Sequence, residues 1–160
     1  MEVWDTTRIS RVHPGSALEQ ALLERARDDD PIAVTAPTIM EVTRGLQTGA
    51  AREPRFANAL AWFVTLTASG LFETLPLDRA SAILAGRLRA LRPVPPTVTG
   101  RRAGTKPDQR AGWVLDIQIA ACAWTHGRDV VTDNVRDFEA LRELISQLHP
   151  AQSPLVVRAP

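Results

Sequence analysis

The stretch WTHGRDVVTDNVRDFEAL, residues 124–141, indicates the fold class of this 160-residue chain most clearly. It reads as the end of a helix at Gly127, a short apolar strand at 129–132, and a polar turn that opens another helix at 135–147. Three oxygen-bearing side chains lie just after the strand: Asp133, Asn134 and Asp137. In a parallel sheet, ligand sites form at the carboxyl ends of the strands. The turn is therefore a candidate functional site.

Outward from this stretch, short apolar strands alternate with longer helical patterns. The predicted strands are 2–4, 31–36, 71–77 and 129–132, and a last apolar stretch lies at 154–157. The predicted helices are 14–29, 37–49, 53–70, 79–93, 112–127 and 135–147. Ser16 and Asp78 are suitable N-caps for two of these helices. Strands that alternate with helices of this length predict an α/β fold with a parallel sheet covered on both faces.

The composition is typical of one domain, residues 1–160, because 44% of the residues are hydrophobic and can form one core. The 19 basic and 18 acidic side chains nearly cancel, so no global charge indicates nucleic acid or membrane. No apolar run approaches the ~20 residues of a membrane span, and the start lacks a signal peptide's pattern. Cys122 lies in an apolar run and is predicted to be buried. We expect a cytoplasmic protein in a reducing compartment, with no membrane association.

Three further acidic residues occupy positions where a carboxylate needs an explanation. Asp5 directly follows the first strand, and Glu41 interrupts the apolar face of its helix. Asp116 lies in the apolar helix WVLDIQIAACAW, with no basic residue three or four positions away. Taken singly, the others have ordinary explanations: a strand end for Asp5, an ion pair with Arg44 for Glu41, and an N-cap role for Asp133.

Taken together, the acidic positions indicate a candidate metal site. The carboxyl ends of the first and fourth strands of a parallel sheet face the same side, so Asp5 and the 133–137 turn can converge with the two helix carboxylates. Clustered carboxylates destabilise one another's charged forms unless a cation neutralises them. Oxygen ligands suit Mg²⁺ or Mn²⁺ rather than zinc, and the three histidines lack metal-ligand spacing. Such an ion suits phosphodiester hydrolysis, since it activates water and neutralises the phosphate.

Four segments stand out in the sequence: VWDTTRIS (3–10), TAPTIMEVTRGL (35–46), DIQIAACAWTHG (116–127) and VVTDNVRDFEAL (130–141). In this order they resemble the four conserved segments of PIN domains, most closely those of the VapC and FitB type toxins of bacterial toxin–antitoxin pairs. The resemblance implies a three-layer α/β/α sandwich with a parallel sheet. It also implies a ribonuclease site that depends on Mg²⁺ or Mn²⁺.

Carried over position by position, the resemblance implies site residues. The catalytic acids are Asp5, Glu41, Asp116 and Asp137, the last because the pattern NVRDF places an acid there. Asp133 is the alternative fourth acid, so the implied metal ligands are Asp5, Asp116, Asp137 and Asp133. The implied supporting residues are Thr6, Thr132 and Asn134. The family's usual DTN is DTT in this chain, so Thr7 stands where asparagine is usual.

The expected partners are RNA, a second copy of the chain in a homodimer, and a small cognate antitoxin that the resemblance implies. The helical surface FANALAWFVTL (56–66), with Trp62 and Phe63, is either core or a groove for that partner. The segment 93–112 is predicted to be a loop, which either contacts RNA or is solvated. The candidates for RNA contact are Arg44, Arg101, Arg102, Lys106 and Arg110.

Three alternative functions differ in what they require of the sequence. A PIN-fold binding module without activity requires one of the acids to be missing, and all are present. A haloacid-dehalogenase-like phosphatase requires a second aspartate two residues after the first, where this chain has Thr7, and a lysine in a later segment. The only lysine, Lys106, is in the predicted loop. A nuclease that acts on DNA satisfies every residue requirement and stays open.

Overall fold

The computed structural model describes residues 1–96 and 106–160, apart from the side chain of Lys106, and contains a sheet of five strands. The strands are β1 (Glu2–Trp4), β2 (Ile32–Thr35), β3 (Phe72–Leu75), β4 (Asp129–Val131) and β5 (Val157–Arg158). Their order is β3-β2-β1-β4-β5, and every neighbouring pair is parallel. The predicted α/β class with a parallel sheet is confirmed.

Helices cover both faces of the sheet. They are α1 (Thr6–Ile9), α2 (Ala17–Arg27), α3 (Ala36–Ala50), α4 (Pro54–Ala68), α5 (Arg79–Leu91), α6 (Lys106–Thr125) and α7 (Val135–Leu148). One buried cluster joins the sheet to α5, α6 and α7, and the other joins it to α1–α4. Val3 belongs to the first cluster and its neighbour Trp4 to the second, because successive strand residues point to opposite faces. The result is a three-layer α/β/α sandwich.

Local hydrogen bonds explain where several helices begin. Ser16 Oγ accepts from Glu19 N–H at 3.1 Å, and Asp78 Oδ1 accepts from Ser81 N–H at 2.9 Å, so both predicted N-caps are confirmed. Helix α6 ends just before Gly127, whose φ of +64° suits a residue without a side chain. These caps satisfy backbone donors that a helix start otherwise leaves without partners.

The sequence predicts a loop over 93–112, and this prediction is wrong for 106–112, which form the first turns of α6. Pro107 is compatible with a first helical turn because its missing N–H is not needed there. The apolar periodicity of α6 begins only after Gly112, so the sequence pattern does not reveal the earlier turns. The part of the predicted loop at 97–105 lies outside the described residues. Helix α1 was not predicted, since four residues are too few to show a period.

Two smaller findings concern burial and length. Cys122 is buried, as predicted, and burial raises the pKa of its thiol to about 11. Among the described residues, no helix is both long enough and apolar enough to cross a bilayer.

Strands β1 and β4 are neighbours at the point where the order of strand addition reverses within the sheet. From β1 the chain adds β2 and β3 on one side, and later β4 and β5 on the other. Trp4 pairs with Val131, so the next residues, Asp5 and Thr132, leave the sheet side by side. In open α/β sheets this switch point forms a crevice at the carboxyl ends of the strands, where ligands bind.

Candidate functional site

Asp5 leaves β1 at this crevice and is almost fully buried, with 1% of its surface exposed. Its Oδ1 accepts hydrogen bonds from the Thr7 hydroxyl at 2.7 Å and from Arg8 N–H at 3.1 Å, and it thereby caps α1. Its Oδ2 accepts from the Thr132 hydroxyl at 2.6 Å. All three groups donate, and so they stabilise the ionised carboxylate.

Burial nevertheless raises the pKa of Asp5 above its ordinary value of 3.8. The loss of water is the largest effect, and the negative charge of Asp133 acts in the same direction. The hydrogen bonds from Thr132, Thr7 and Arg8 lower the pKa but only partly offset burial. The Asp5 carboxylate is therefore held in place at an electrostatic cost that a cation nearby would relieve.

Glu41 lies on α3 and is partly exposed. Its Oε2 accepts a hydrogen bond of 2.7 Å from the hydroxyl of Thr6, which follows Asp5 in the chain. The ion pair with Arg44 that the sequence allows is therefore replaced by a contact between α3 and α1. Thr6 and Thr7 thus hold Glu41 and Asp5, respectively, from consecutive positions of one short helix.

Asp116 of α6 and Asp137 of α7 are connected by one side chain. The amide nitrogen of Asn134 lies 3.0 Å from Asp116 Oδ2 and 3.0 Å from Asp137 Oδ2. Asp137 is fully buried. Asn134 N–H in turn donates to the Thr132 hydroxyl at 2.8 Å, and this hydroxyl donates to Asp5. One continuous network of hydrogen bonds therefore runs from Asp5 to the other two acids.

Asp133 occupies a different environment. Its carboxylate forms an ion pair of 2.8 Å with Arg11, and 34% of its side chain is exposed. Its N–H donates to the Thr7 hydroxyl at 3.3 Å. The sequence allows Asp133 to cap the last helix, and this interpretation is wrong: Asn134 is the N-cap of α7 and makes no side-chain cap bond. Asp133 instead ties the turn to the residues after α1.

Of the four predicted catalytic acids, Asp116 and Asp137 share the donor Asn134, whereas Asp5 and Glu41 accept from two different threonines of α1. Within the described residues, no three Asp, Glu, His or Cys side chains are placed so that they could hold one metal ion. The Asn134 amide is a hydrogen-bond donor shared by Asp116 and Asp137. The donor set still fits a hard cation by its chemistry, because carboxylates, hydroxyls and an amide supply only oxygen and no sulfur or imidazole.

A mainly apolar groove opens beside Glu41. Its volume is about 720 Å³, and helices α3 and α4 contribute most of the lining, including Val42, Leu46, Phe56, Trp62 and Phe63. Thr6, Glu41 and Arg44 lie on its border, so the groove adjoins the acidic residues. Phe63 is buried, whereas Trp62 is partly exposed. The surface 56–66 therefore serves as core and as groove wall at once.

The candidates for RNA contact divide by whether the structure describes them. Arg44 borders the groove, and Arg110 is exposed on α6. Arg101, Arg102 and the side chain of Lys106 lie outside the described residues.

Sequence reasoning missed Thr7 and Arg11 as residues of this site. Thr7 contacts both Asp5 and the 133–134 turn, and Arg11 pairs with Asp133. The available signals for Thr7 were its position two residues after an acid at a strand end and its place in the segment that resembles the family's DTN motif. Arg11 gave no signal, because its partner is 122 positions away in the chain.

Comparison with known proteins shows likeness in structure but not in sequence. No protein-family model and no curated protein sequence matches the chain. The fold is similar to that of VapBC2 from Rickettsia felis bound to a promoter DNA fragment, at 15% identity and a TM-score of 0.61 over 99% of this chain and 98% of that one. It is also similar to FitAcB from Neisseria gonorrhoeae, at 20% identity and a TM-score of 0.58 over 98% and 96%. DNA-bound VapBC from Salmonella typhimurium gives 21% identity and 0.59 over 99% and 96%. These likenesses show a shared PIN-like fold.

Proposed function

We propose that the chain is an endoribonuclease that depends on Mg²⁺ or Mn²⁺ and acts as the toxin of a toxin–antitoxin pair. The observation that carries the proposal is the hydrogen-bond network at the β1/β4 switch point. It connects Asp5, Asp116 and Asp137 through Thr132 and Asn134. Beside this network, Glu41 accepts a hydrogen bond from Thr6 of α1. Structural elements far apart in the chain thus direct carboxylates to the crevice where an α/β fold binds its ligands.

The proposed metal ligands are Asp5, Asp116 and Asp137. A bound divalent cation supplies charge neutralisation at the scissile phosphate and lowers the pKa of water. The shared amide of Asn134 supports the assignment, because two carboxylates that accept from one donor lie close enough together for one cation to neutralise both. The side-chain oxygen and nitrogen of an asparagine exchange places by a simple rotation, so Asn134 can face a cation with its oxygen.

Asp137 rather than Asp133 is the proposed fourth acid. Asp137 is buried and shares the donor of Asp116, whereas Asp133 is partly exposed and already paired with Arg11. An ion pair at the surface places the Asp133 charge outside the buried network. Asp133 is therefore proposed to hold the turn in place.

Glu41 is the proposed proton acceptor. Thr6 holds its Oε2 by a hydrogen bond of 2.7 Å, which fixes the carboxylate at the border between the acidic residues and the groove. A carboxylate that is partly exposed can accept a proton from an attacking water and pass it to solvent. Thr132 and Asn134 are proposed to orient the other acids. Arg44 lies near Glu41 on α3 and borders the groove, so it is a candidate to contact a phosphate.

Incubation of the purified protein with total RNA and with DNA, in Mg²⁺, Mn²⁺ or EDTA, tests the activity. The proposal predicts cleavage of RNA in either metal and none in EDTA. Cleavage of DNA alone would establish the DNA nuclease instead. Intact RNA and DNA in both metals would favour the binding module without activity.

The toxin role rests on the resemblance of the four sequence segments and on the fold shared with VapBC and FitAcB structures. The groove of α3 and α4 is the proposed site for the antitoxin. It is mainly apolar and large enough for side chains of a helix or extended segment, and Glu41 is among the residues that line it. A partner in this groove can place a basic side chain against the acids. We also propose a single domain, since both core clusters pack on one sheet, and a homodimer.

Expression in bacteria tests the toxin role. The chain expressed alone should arrest growth, and co-expression of the small protein encoded beside it should restore growth. Light scattering of the purified chain measures whether it is a dimer. Normal growth with an active, folded enzyme would contradict the toxin role and leave the nuclease proposal intact.

A further inference from the structure

Thr7 contacts the two sides of the switch-point crevice with one hydroxyl group. The hydroxyl donates to Asp5 Oδ1 at 2.7 Å and accepts from the N–H of Asp133 at 3.3 Å. Asp5 follows β1, and Asp133 belongs to the turn after β4. Thr7 therefore connects the carboxylate of one strand end to the backbone of the other.

Thr132 makes the same pair of contacts from the opposite side. Its hydroxyl donates to Asp5 Oδ2 at 2.6 Å and accepts from the N–H of Asn134 at 2.8 Å. Each oxygen of Asp5 thus receives one threonine hydroxyl, and each hydroxyl receives one of two consecutive backbone N–H groups. A hydroxyl is a small side-chain group that donates and accepts at once, so Thr suits both positions.

We propose that Thr7 is a positioning residue for Asp5. Together with Thr132 it fixes the plane of the Asp5 carboxylate and keeps the 133–134 turn in register with it. The orientation of Asp5 is then coupled to that of Asn134, which bonds Asp116 and Asp137. This inference rests on the proposed function, because it assigns Thr7 a role in presenting Asp5 to the cation.

The Arg11–Asp133 ion pair holds the same turn by a second contact. The pair is exposed to solvent and Arg11 has a long, flexible side chain, so the pair restrains the turn less than the short, partly buried side chain of Thr7, which is also bonded to Asp5. Loss of Thr7 is therefore expected to loosen the turn locally without unfolding the protein. A purely structural role for Thr7 would change only the melting temperature.

The test compares Thr7→Val, which removes the hydroxyl at nearly the same volume, with Thr7→Ser, which keeps it. Thr65→Val is the matched control, since Thr65 is exposed on α4 and bonds only to Ala61 O of its own helix. Two quantities are measured on each full-length protein: amide hydrogen exchange of Asp133 without metal, and the dissociation constant for Mg²⁺ by calorimetry.

Thr7→Val should exchange the Asp133 amide about tenfold faster and bind Mg²⁺ about tenfold more weakly, the effect of one hydrogen bond to a charged group. Thr7→Ser should restore most of both, and Thr65→Val should change neither. Mg²⁺ binding by Thr7→Val equal to that of the wild type would overturn this assignment alone. Wild-type protein that binds no Mg²⁺ would overturn both this assignment and the proposed function.

Discussion

Thr132 donates a hydrogen bond of 2.6 Å to Asp5 across 127 positions of the chain. The bond joins the ends of β1 and β4, and it lies within a buried crevice. Strong donors hold the Asp5 carboxylate, yet burial still raises its pKa. Asp5 is therefore held in a position that disfavours its charged form, and such perturbed acids are typical of functional sites.

The first prediction concerns Asp5 and pH. Because the pKa of Asp5 in the folded state is raised above 3.8, the folded state holds its proton more tightly than the unfolded state does. The contribution of Asp5 to the free energy of unfolding of the metal-free wild type should therefore fall as pH rises from 3.8 through the folded-state pKa, and it should then stay constant. Asp5→Asn cannot ionise. Its stability relative to the wild type should increase over the same pH range.

Denaturant unfolding of both proteins in EDTA, at several pH values, measures this difference. Loss of a hydrogen bond in Asp5→Asn changes the difference in free energy of unfolding between the two proteins by the same amount at every pH. The pH dependence of this difference therefore reports the ionisation of Asp5. A difference that does not change with pH would contradict the prediction. Mg²⁺ should stabilise the wild type more than the variant, since it binds the folded state through Asp5.

The second prediction separates the two acids of the turn. Asp137→Asn removes a charge from the buried network and should lower RNA cleavage by at least about 100-fold. Asp133→Asn removes a partly exposed ion pair with Arg11 and should cost at most about 1 kcal/mol of stability, with cleavage largely kept. Initial cleavage rates and thermal melts measure both effects. An inactive Asp133→Asn beside an active Asp137→Asn would reverse the assignment.

The third prediction concerns the groove. Ala59 lines it, whereas Ala57 is exposed on the same helix and does not. Ala59→Arg should fill the groove and weaken binding of the proposed antitoxin by about 30-fold, the effect of losing a central interface contact. Ala57→Arg adds the same charge and should bind normally. Calorimetry with the purified partner gives both affinities. Equal binding by the two variants would show that the partner sits elsewhere.

The fourth prediction concerns the basic residues near 101–110. Neutralising Arg101, Arg102, Lys106 and Arg110 together should weaken RNA binding and flatten its salt dependence. Each lost phosphate contact should reduce the slope of log K against log salt by about 0.7 for a single strand. Binding is measured in Ca²⁺ with Asp116→Asn, so that cleavage does not interfere. An unchanged slope would mean that these residues are solvated surface.

Sequence patterns were sufficient for strands β1 to β4 and for most helices, because apolar runs and capping residues such as Ser16 and Asp78 act locally. Strand β5 overlaps the last apolar stretch by one residue only, Val157. The pattern failed at 106–112, where polar residues precede the apolar part of α6. It also failed at α1, which is too short to show a helical period. Both failures reflect the limits of periodicity in short or polar segments.

The site was predictable in part for a physical reason. An acid at a strand end or within an apolar helix, such as Asp5 or Asp116, is conspicuous in the sequence. The partners that hold such acids are not, because contacts such as Asp133–Arg11 form only after the sheet brings β1 beside β4. Neither the bridging position of Asn134 nor the double contact of Thr7 follows from local sequence.

Cleavage of RNA by Asp116→Asn tests the proposed function most directly. Asp116 lies on an apolar helix face and bonds with Asn134, so the isosteric change removes its charge with little change in volume. Glu143→Gln is the control, since Glu143 is exposed on α7. In Mg²⁺, Asp116→Asn should cleave at least about 100-fold more slowly than the wild type, with an unchanged circular dichroism spectrum, while Glu143→Gln keeps wild-type activity. Full activity in a folded Asp116→Asn would contradict the proposed site.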